Sequence, residues 1–299
     1  MLFKRYHIVQ AVELICYLSP RMTVLVLTLI VLAGSYVAGL IGSLTGLGGG
    51  VVIIPLLTLL LNVNIHYAIG ASLVSVIATS SGSAAAYVKE GITNIRLGMF
   101  LEIATTIGAM AGAMLALHIQ TSVIAVAFGV ILIFSALMSL RKKKDEINTQ
   151  KSEWAEKLKL NSQYPTINGK VEYGVVNVGG GFAMMAFAGV ISGLLGIGSG
   201  ALKVIAMDGV MRIPFKVSTT TSNFMIGVTA AASAVVYLQR GYIDPGLSMP
   251  VVIGVLLGAL TGSKILVHSQ SSQWLRWVFA VIVTFLASQM IYNGINHKI

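Results

Sequence analysis

The sequence predicts an all-α polytopic membrane protein with two homologous helical repeats, each holding a Gly-rich break and a short discontinuous or re-entrant helix. Three observations carry that prediction. The chain of 299 residues is 56% hydrophobic and only 10% charged, with a mean hydropathy of +0.87, whereas soluble domains carry about 25% charged residues. Several apolar runs exceed the roughly 20 residues that cross a bilayer core. A shift of 150 residues lays 38–140 on 188–290 without a gap. No short alternating segments suggest an outer-membrane barrel.

Taken in order, residues 1–22 hold Lys4, Arg5, Glu13, Pro20 and Arg21 around a short apolar run, with no small-residue cleavage pattern. They read as an interfacial N-terminal segment and not as a signal peptide. The first transmembrane repeat, 23–140, contains apolar segments at 23–45, 50–61, 66–88, 95–117 and 122–140. The second of these is too short to span at 1.5 Å per residue, and it contains Pro55. Residues 141–172 form a polar, basic linker opened by Arg141, Lys142, Lys143 and Lys144. The second repeat occupies 173–293, and 294–299 is a C-terminal tail.

The repeats match in detail. Ala38-Gly39 meets Ala188-Gly189, Ser72 meets Ser222, Tyr87 meets Tyr237, and Gly108 and Gly112 meet Gly258 and Gly262. Their relative orientation depends on crossings per unit. A re-entrant short segment gives four crossings and parallel copies; a crossing one gives five and inverted copies. Positive residues favour the cytoplasmic side. Placing the N-terminal basic residues and the linker on one side leans towards parallel copies.

The formal charge of +10 is assigned to such loops and not to nucleic acid. Cys16 is the only cysteine, so no intramolecular disulfide or thiolate cluster forms. The five histidines show no metal-ligand spacing, and no cofactor is expected.

The chemistry centres on two glycine runs inside apolar stretches, Gly46-Leu47-Gly48-Gly49-Gly50 and Gly196-Ile197-Gly198-Ser199-Gly200. Glycine is a poor helix interior residue, and broken backbone at membrane depth survives only where protein or a cavity shelters it. Paired Gly-interrupted segments in two halves point to a transporter's binding site. Helix N-termini offer free N–H groups to an anion, and glycine lets it approach the backbone. Close helix packing is the competing explanation, and it is preferred for Gly108/Gly112 and Gly258/Gly262.

The unit Ala-Gly followed by the Gly-x-Gly-x-Gly run, a short apolar segment, then Ser72 or Ser222 in a hydroxyl-rich helix resembles the TauE/SafE sulfite-exporter family. The run from Arg212 to Gly227 (RIPFKVSTTTSNFMIG) and the later Gly241-Tyr-Ile-Asp-Pro245 strengthen the likeness, which covers 30–293 apart from the linker. The resemblance implies a duplicated exporter of small sulfur-containing oxyanions such as sulfite or organosulfonates. Ser199 departs from Gly49 of the first repeat, and Ile205 departs from Pro55.

Among charged residues, Lys203 sits three residues after Gly200, where the first repeat has Ile53. A charge within a membrane segment usually faces a cavity or partner. Two readings stand: it binds or gates the anion, or it pairs with Asp208 or snorkels outwards. Asp208 is a partner for Lys203 or Arg212, or a coupling carboxylate. Glu102 either carries a coupled proton or reaches the interface near Arg96. Hydroxyls at Ser72 and Ser222 and the amide of Asn223 are candidate oxyanion donors, against ordinary bonding to helix carbonyls.

An enzyme would need a convergent acid–base, nucleophile or metal constellation, and none is visible, so a transporter is expected instead. Its partners are the anion and the lipid bilayer, with a homodimer as a candidate assembly. The expected location is the inner or plasma membrane, with 141–170 on the cytoplasmic side.

Overall fold

A computed structural model describes residues 24–45, 49–89, 91–140, 150, 152–166, 169–268 and 272–296. The first half contains α1 (Val24–Thr45), the short α2 (Gly50–Pro55), α3 (Ile65–Lys89), α4 (Ile95–Ala116) and α5 (Thr121–Leu140). The linker contains α6 (Glu153–Lys157) and a hairpin of β1 (Ser162–Thr166) and β2 (Gly169–Tyr173). The second half contains α7 (Val178–Leu195), the short α8 (Gly200–Ile205), α9 (Phe215–Gln239), α10 (Pro245–His268) and α11 (Ser272–Ile295). Both short helices widen into a π-helical turn, at Leu56–Leu60 and Ala206–Val210. The bounds of α2, its π turn and α3 recur 150 residues later in α8, its π turn and α9.

Local chemistry sets several of these boundaries. Asn94 caps α4 by accepting from the Leu97 N–H at 3.1 Å, and Asp244 caps α10 by accepting from Gly246 at 2.6 Å. Such caps satisfy N–H groups that a helix start leaves free. The π turn follows Pro55 in one half and Ile205 in the other, so proline is not its cause.

Among the described residues, five helices are long and apolar enough to cross a membrane. Leu29, Met99, Ile103, Ile107, Leu137 and Phe285 lie on the exterior, as a lipid-facing surface requires. This is a multi-pass helical membrane protein.

The helices pair across the two halves. α1 packs on α10, α4 on α7, α3 on α9 and α5 on α11. Glycines bring the backbones together. A Cβ at Gly108 or Gly112 would strike the carbonyls of Ala186 or Val190, and one at Gly189 or Gly193 those of Thr105 or Ala109. Only a residue without a side chain fits there, the small-residue packing of membrane helices. At the other pair, Gly39 meets Val255, Gly254 meets Leu32, and Gly258 meets Tyr36.

These contacts also fix running directions. Thr105 and Ala109 rise with Gly189 and Gly193, so α4 and α7 run the same way; α1 and α10 do likewise. In contrast, Gly129 meets Ala287 while Gly294 meets Ser122, so α5 and α11 oppose each other. Gly227 meets Ser80 while Gly70 meets Tyr242, beyond the end of α9, so α3 and α9 oppose each other too. Helices at matching positions are therefore antiparallel, not parallel as the basic residues led the sequence to lean. The reason is α2, which turns back along α1 so that Gly34 faces Leu56.

The linker is folded, not merely a solvated loop. Ala155, Leu160, Tyr164, Tyr173 and Val175 are buried in one cluster with Leu97, Leu101, Met207, Met211, Ile213 and Val217. Asn94 donates to the Leu160 carbonyl and to the Tyr173 hydroxyl, both at 2.9 Å. Burial pushes the Tyr173 phenol up to about 12. The hairpin thus caps the bundle where α4, α7 and α9 begin and where α8 ends. Arg141 to Lys144 lie outside the described residues.

Replacing Gly193 by leucine should prevent the α4–α7 contact, because the Ala109 carbonyl occupies the space. Overpacking of this kind costs about 1–3 kcal/mol or more. Monodisperse protein should be lost in detergent gel filtration. Gly179→Ala, with nothing within 4 Å of its added Cβ, should behave as wild type.

Candidate functional site

The two breaks meet at the centre of the molecule. A Cβ on Gly50 would strike the Ser72 hydroxyl and lie 3.4 Å from the Gly196 carbonyl oxygen. Ser72 on α3 donates to that carbonyl at 2.9 Å, and Ser222 on α9 donates to the Gly200 carbonyl at 3.2 Å. Both serines therefore hold the second break, one from each half. Their hydroxyl protons go to backbone carbonyls, which in a bilayer have no water to meet them. Gly46 and Gly48 lie outside the described residues.

The breaks differ in shape. Gly196 and Gly198 have φ of 69° and Ser199 has φ of 45°, so the second break winds through the left-handed region that glycine tolerates. Gly49 is right-handed, with φ of −67°. The serine thus stands where the left-handed turn is tightest, and glycine where none is needed. Ser199 is buried at 4% exposure, and its hydroxyl has no hydrogen-bond partner. Gly198 and Gly200 pack against Ile226, and Asn223 is half-buried beside Ser222.

Beyond the second break stands a buried charge pair. Lys203 is completely buried and Glu102 is 7% exposed. The Lys203 ammonium donates to the Thr229 hydroxyl at 2.5 Å, and Thr229 donates to Glu102 Oε1 at 2.6 Å. Nζ and Glu102 Oε2 are 4.0 Å apart, and Oε2 accepts no hydrogen bond. Thr106 adds a 3.3 Å bond to Oε1. The alternative pairing of Lys203 with Asp208 is not what forms. The carboxylate facing it comes from α4, and Asp208 sits half-buried in the π turn. Nor does Glu102 reach outwards towards Arg96, which instead donates to the Lys159 carbonyl.

Packing explains the meeting. Gly98 of α4 admits Thr221 and Phe224 of α9, and further along both helices Glu102 meets Thr229. Sequence reasoning missed Thr229. The available signal was its position two turns after Ser222, on the same helix face. The relay is built once. Positions 150 residues away hold Ile53, Thr79 and Val252.

Other polar groups are structural. His66 lies between Asn64 Oδ1 and the Ala116 carbonyl, each at 3.1 Å, and stacks on Tyr242. Among the described residues no three His, Cys, Asp or Glu side chains gather as a metal site.

Thr229→Val should leave the Lys203 ammonium and Glu102 without their bridge. A lost hydrogen bond to a buried charge costs about 1.5–3 kcal/mol, so thermal unfolding in detergent should shift down measurably. Thr229→Ser, which keeps the hydroxyl, should restore most of that loss.

Comparison with known proteins agrees with this architecture. The family model for the sulfite exporter TauE/SafE matches residues 30–290. The "Probable membrane transporter protein YunE" of Bacillus subtilis (strain 168) is 28% identical over 268 residues, covering 87% of this chain and 95% of the relative. YdhB of the same organism, also named a probable membrane transporter protein, is 27% identical, covering 77% and 86%. A "Probable membrane transporter protein" of Xylella fastidiosa (strain 9a5c) is 25% identical, covering 89% and 96%. No solved structure matches the chain. With its match running through both glycine breaks and the charge pair, the chain belongs to the TauE/SafE sulfite exporter family.

Proposed function

We propose that this membrane transporter exports small sulfur-containing oxyanions, sulfite or organosulfonates, through a site between two duplicated, inverted units. The observation that carries the reading is the meeting of both helix breaks beside a fully buried lysine. A sulfur oxyanion needs donors for several oxygens and one compensating positive charge. The free N–H groups around Gly49, Gly50, Ser199 and Gly200, the unpartnered Ser199 hydroxyl and Asn223 supply the donors. Lys203 supplies the charge. Ser72 and Ser222 shape the site by holding the break carbonyls. The matching element bounds and opposed directions of the halves support duplication with inversion, which lets a central site open alternately to either side.

Radiolabelled sulfite counterflow in proteoliposomes, with isethionate, taurine, thiosulfate, sulfate and acetate as competitors, tests this. Saturable flux blocked by sulfur anions is expected. Competition by acetate alone would give the site to another small anion. Removing the positive charge by Lys203→Gln forfeits a charge-assisted bond of about 1.5–3 kcal/mol, so flux below saturation should fall about tenfold to a hundredfold. Unchanged flux in folded protein would remove Lys203 from the site.

The linker end of the bundle is assigned to the cytoplasm. Arg96, Lys157, Lys159, Lys170, Arg212 and Lys216 lie at that end and exposed Arg240 at the other, the asymmetry that positive-inside topology produces. In a Cys16→Ser background, cysteine at Lys143 should resist membrane-impermeant thiol reagents in intact cells, while cysteine at Gly241 should label. The reverse pattern would invert the assignment.

A further inference from the structure

We propose that Glu102 is the proton site of the carrier, taking up one proton each time Lys203 is drawn onto the bound anion, so that anion and proton cross in the same direction and export runs while the outward anion gradient exceeds the inward proton gradient. This rests on the transporter reading above and adds its energy coupling.

The first ground is charge. Lys203 and Glu102 are both buried at membrane depth, where an ionised group needs a counter-charge. Removing one partner of such a pair leaves the other uncompensated. If the ammonium turns to an incoming anion, the carboxylate loses its counter-charge, and a proton from the open side neutralises it. The site is then neutral both empty, as Lys⁺ with Glu⁻, and loaded, as Lys⁺ with anion and protonated Glu102.

The second ground is that the pair is held loosely, as a switch must be. Its charged atoms stand 4.0 Å apart, joined through Thr229, and Glu102 Oε2 is buried with no partner. Thr229 has a second acceptor ready, the Met225 carbonyl at 3.0 Å. When Glu102 is protonated, the carboxyl O–H donates to Thr229 and the threonine hydroxyl turns to Met225. Protonation thus gives the carboxyl group a hydrogen bond to donate while the threonine hydroxyl keeps an acceptor. The groups facing Glu102 are few: Lys203 from α8, Thr229 from α9, Thr106 from its own helix. From α7, Ala186, Gly189 and Val190 pack on α4 and bring no charge.

The third ground is placement. Lys203 rides on the short helix after the break, whereas Glu102 belongs to α4 of the other half. Separating the charges is therefore a movement of Lys203 and α8 against α4. The fold itself does not require them, because the corresponding positions hold Ile53, Thr79 and Val252.

The test uses purified full-length protein in proteoliposomes, with the membrane potential clamped by valinomycin and potassium. Labelled isethionate, the anion of a strong acid that brings no proton of its own, is the main probe, and sulfite the second. With the lumen one pH unit more alkaline, one proton per monovalent anion predicts about tenfold isethionate accumulation over protein-free vesicles, since one unit is a tenfold change in equilibrium. Glu102→Gln, which can still bond Thr229, should keep counterflow and lose accumulation. The double variant Glu102→Val with Lys203→Ile copies the corresponding residues of the other half. It should remain folded by gel filtration and show no accumulation. Counterflow in wild type without pH-driven accumulation would overturn the coupling and leave the transporter standing. Accumulation surviving in Glu102→Gln would overturn the role of Glu102. Absence of counterflow with both anions, from folded protein, would overturn the transporter reading and the coupling with it.

Discussion

A helix that ends inside a bilayer leaves carbonyl and N–H groups where no water can reach them. Everything central in this molecule follows from sheltering two such ends. The buried carbonyls of Gly196 and Gly200 take hydroxyls from Ser72 and Ser222, the first reaching across on α3 from the other half and the second coming from α9 of the same half. Their approach requires the outer helices to lie close, and glycines on α1, α4, α7 and α10 allow contact at the level of backbone carbonyls. Broken helices, hydroxyl-rich helices and glycine-faced helices are three parts of one solution.

Against that background the Lys203–Thr229–Glu102 relay stands apart. Its two charges have no counterpart 150 residues away, where Ile53 and Val252 stand. A framework that is close to two-fold in its elements is one-sided in its charge. The lysine of the pair stands on the side of the second break, and position 53 of the first half holds isoleucine. The second break also carries the left-handed backbone and the unpartnered Ser199 hydroxyl. Chemistry and conformational strain have gathered in the same half.

Much of this was legible in the sequence, and the reason is locality. Helix positions follow from apolar run length, the breaks from clustered glycine, and the matching bounds from a gapless offset. The pairing of Lys203 with Glu102 was not legible, because Asp208 is nearer in sequence and only the packing of α4 against α9 brings the true partner in. Thr229 was hidden among hydroxyls that bond their own helix, such as Thr219 to Phe215 and Ser233 to Thr229. The running direction of the halves hung on one eleven-residue segment, Gly50–Leu60, too short to be read as a crossing by its length. In the linker a turn signal was present in the Asn168-Gly169 dipeptide, although Gly169 itself pairs with Thr166 in the ladder. It was obscured by a mixed-charge composition that reads as loop.

The exchange of partners between halves has a bearing on how the chain is made. Gly39 of α1 packs against Val255 of α10, which begins at Pro245, and Gly108 and Gly112 of α4 pack against α7. At synthesis rates of about 5–20 residues per second, α1 waits on the order of ten seconds or more for its mate. Throughout that interval Gly39 and its neighbours lie open in the membrane, available to any other small-faced helix. Assembly is thus a late, long-range event, and the first half spends its early life dependent on whatever holds nascent helices together until the second arrives.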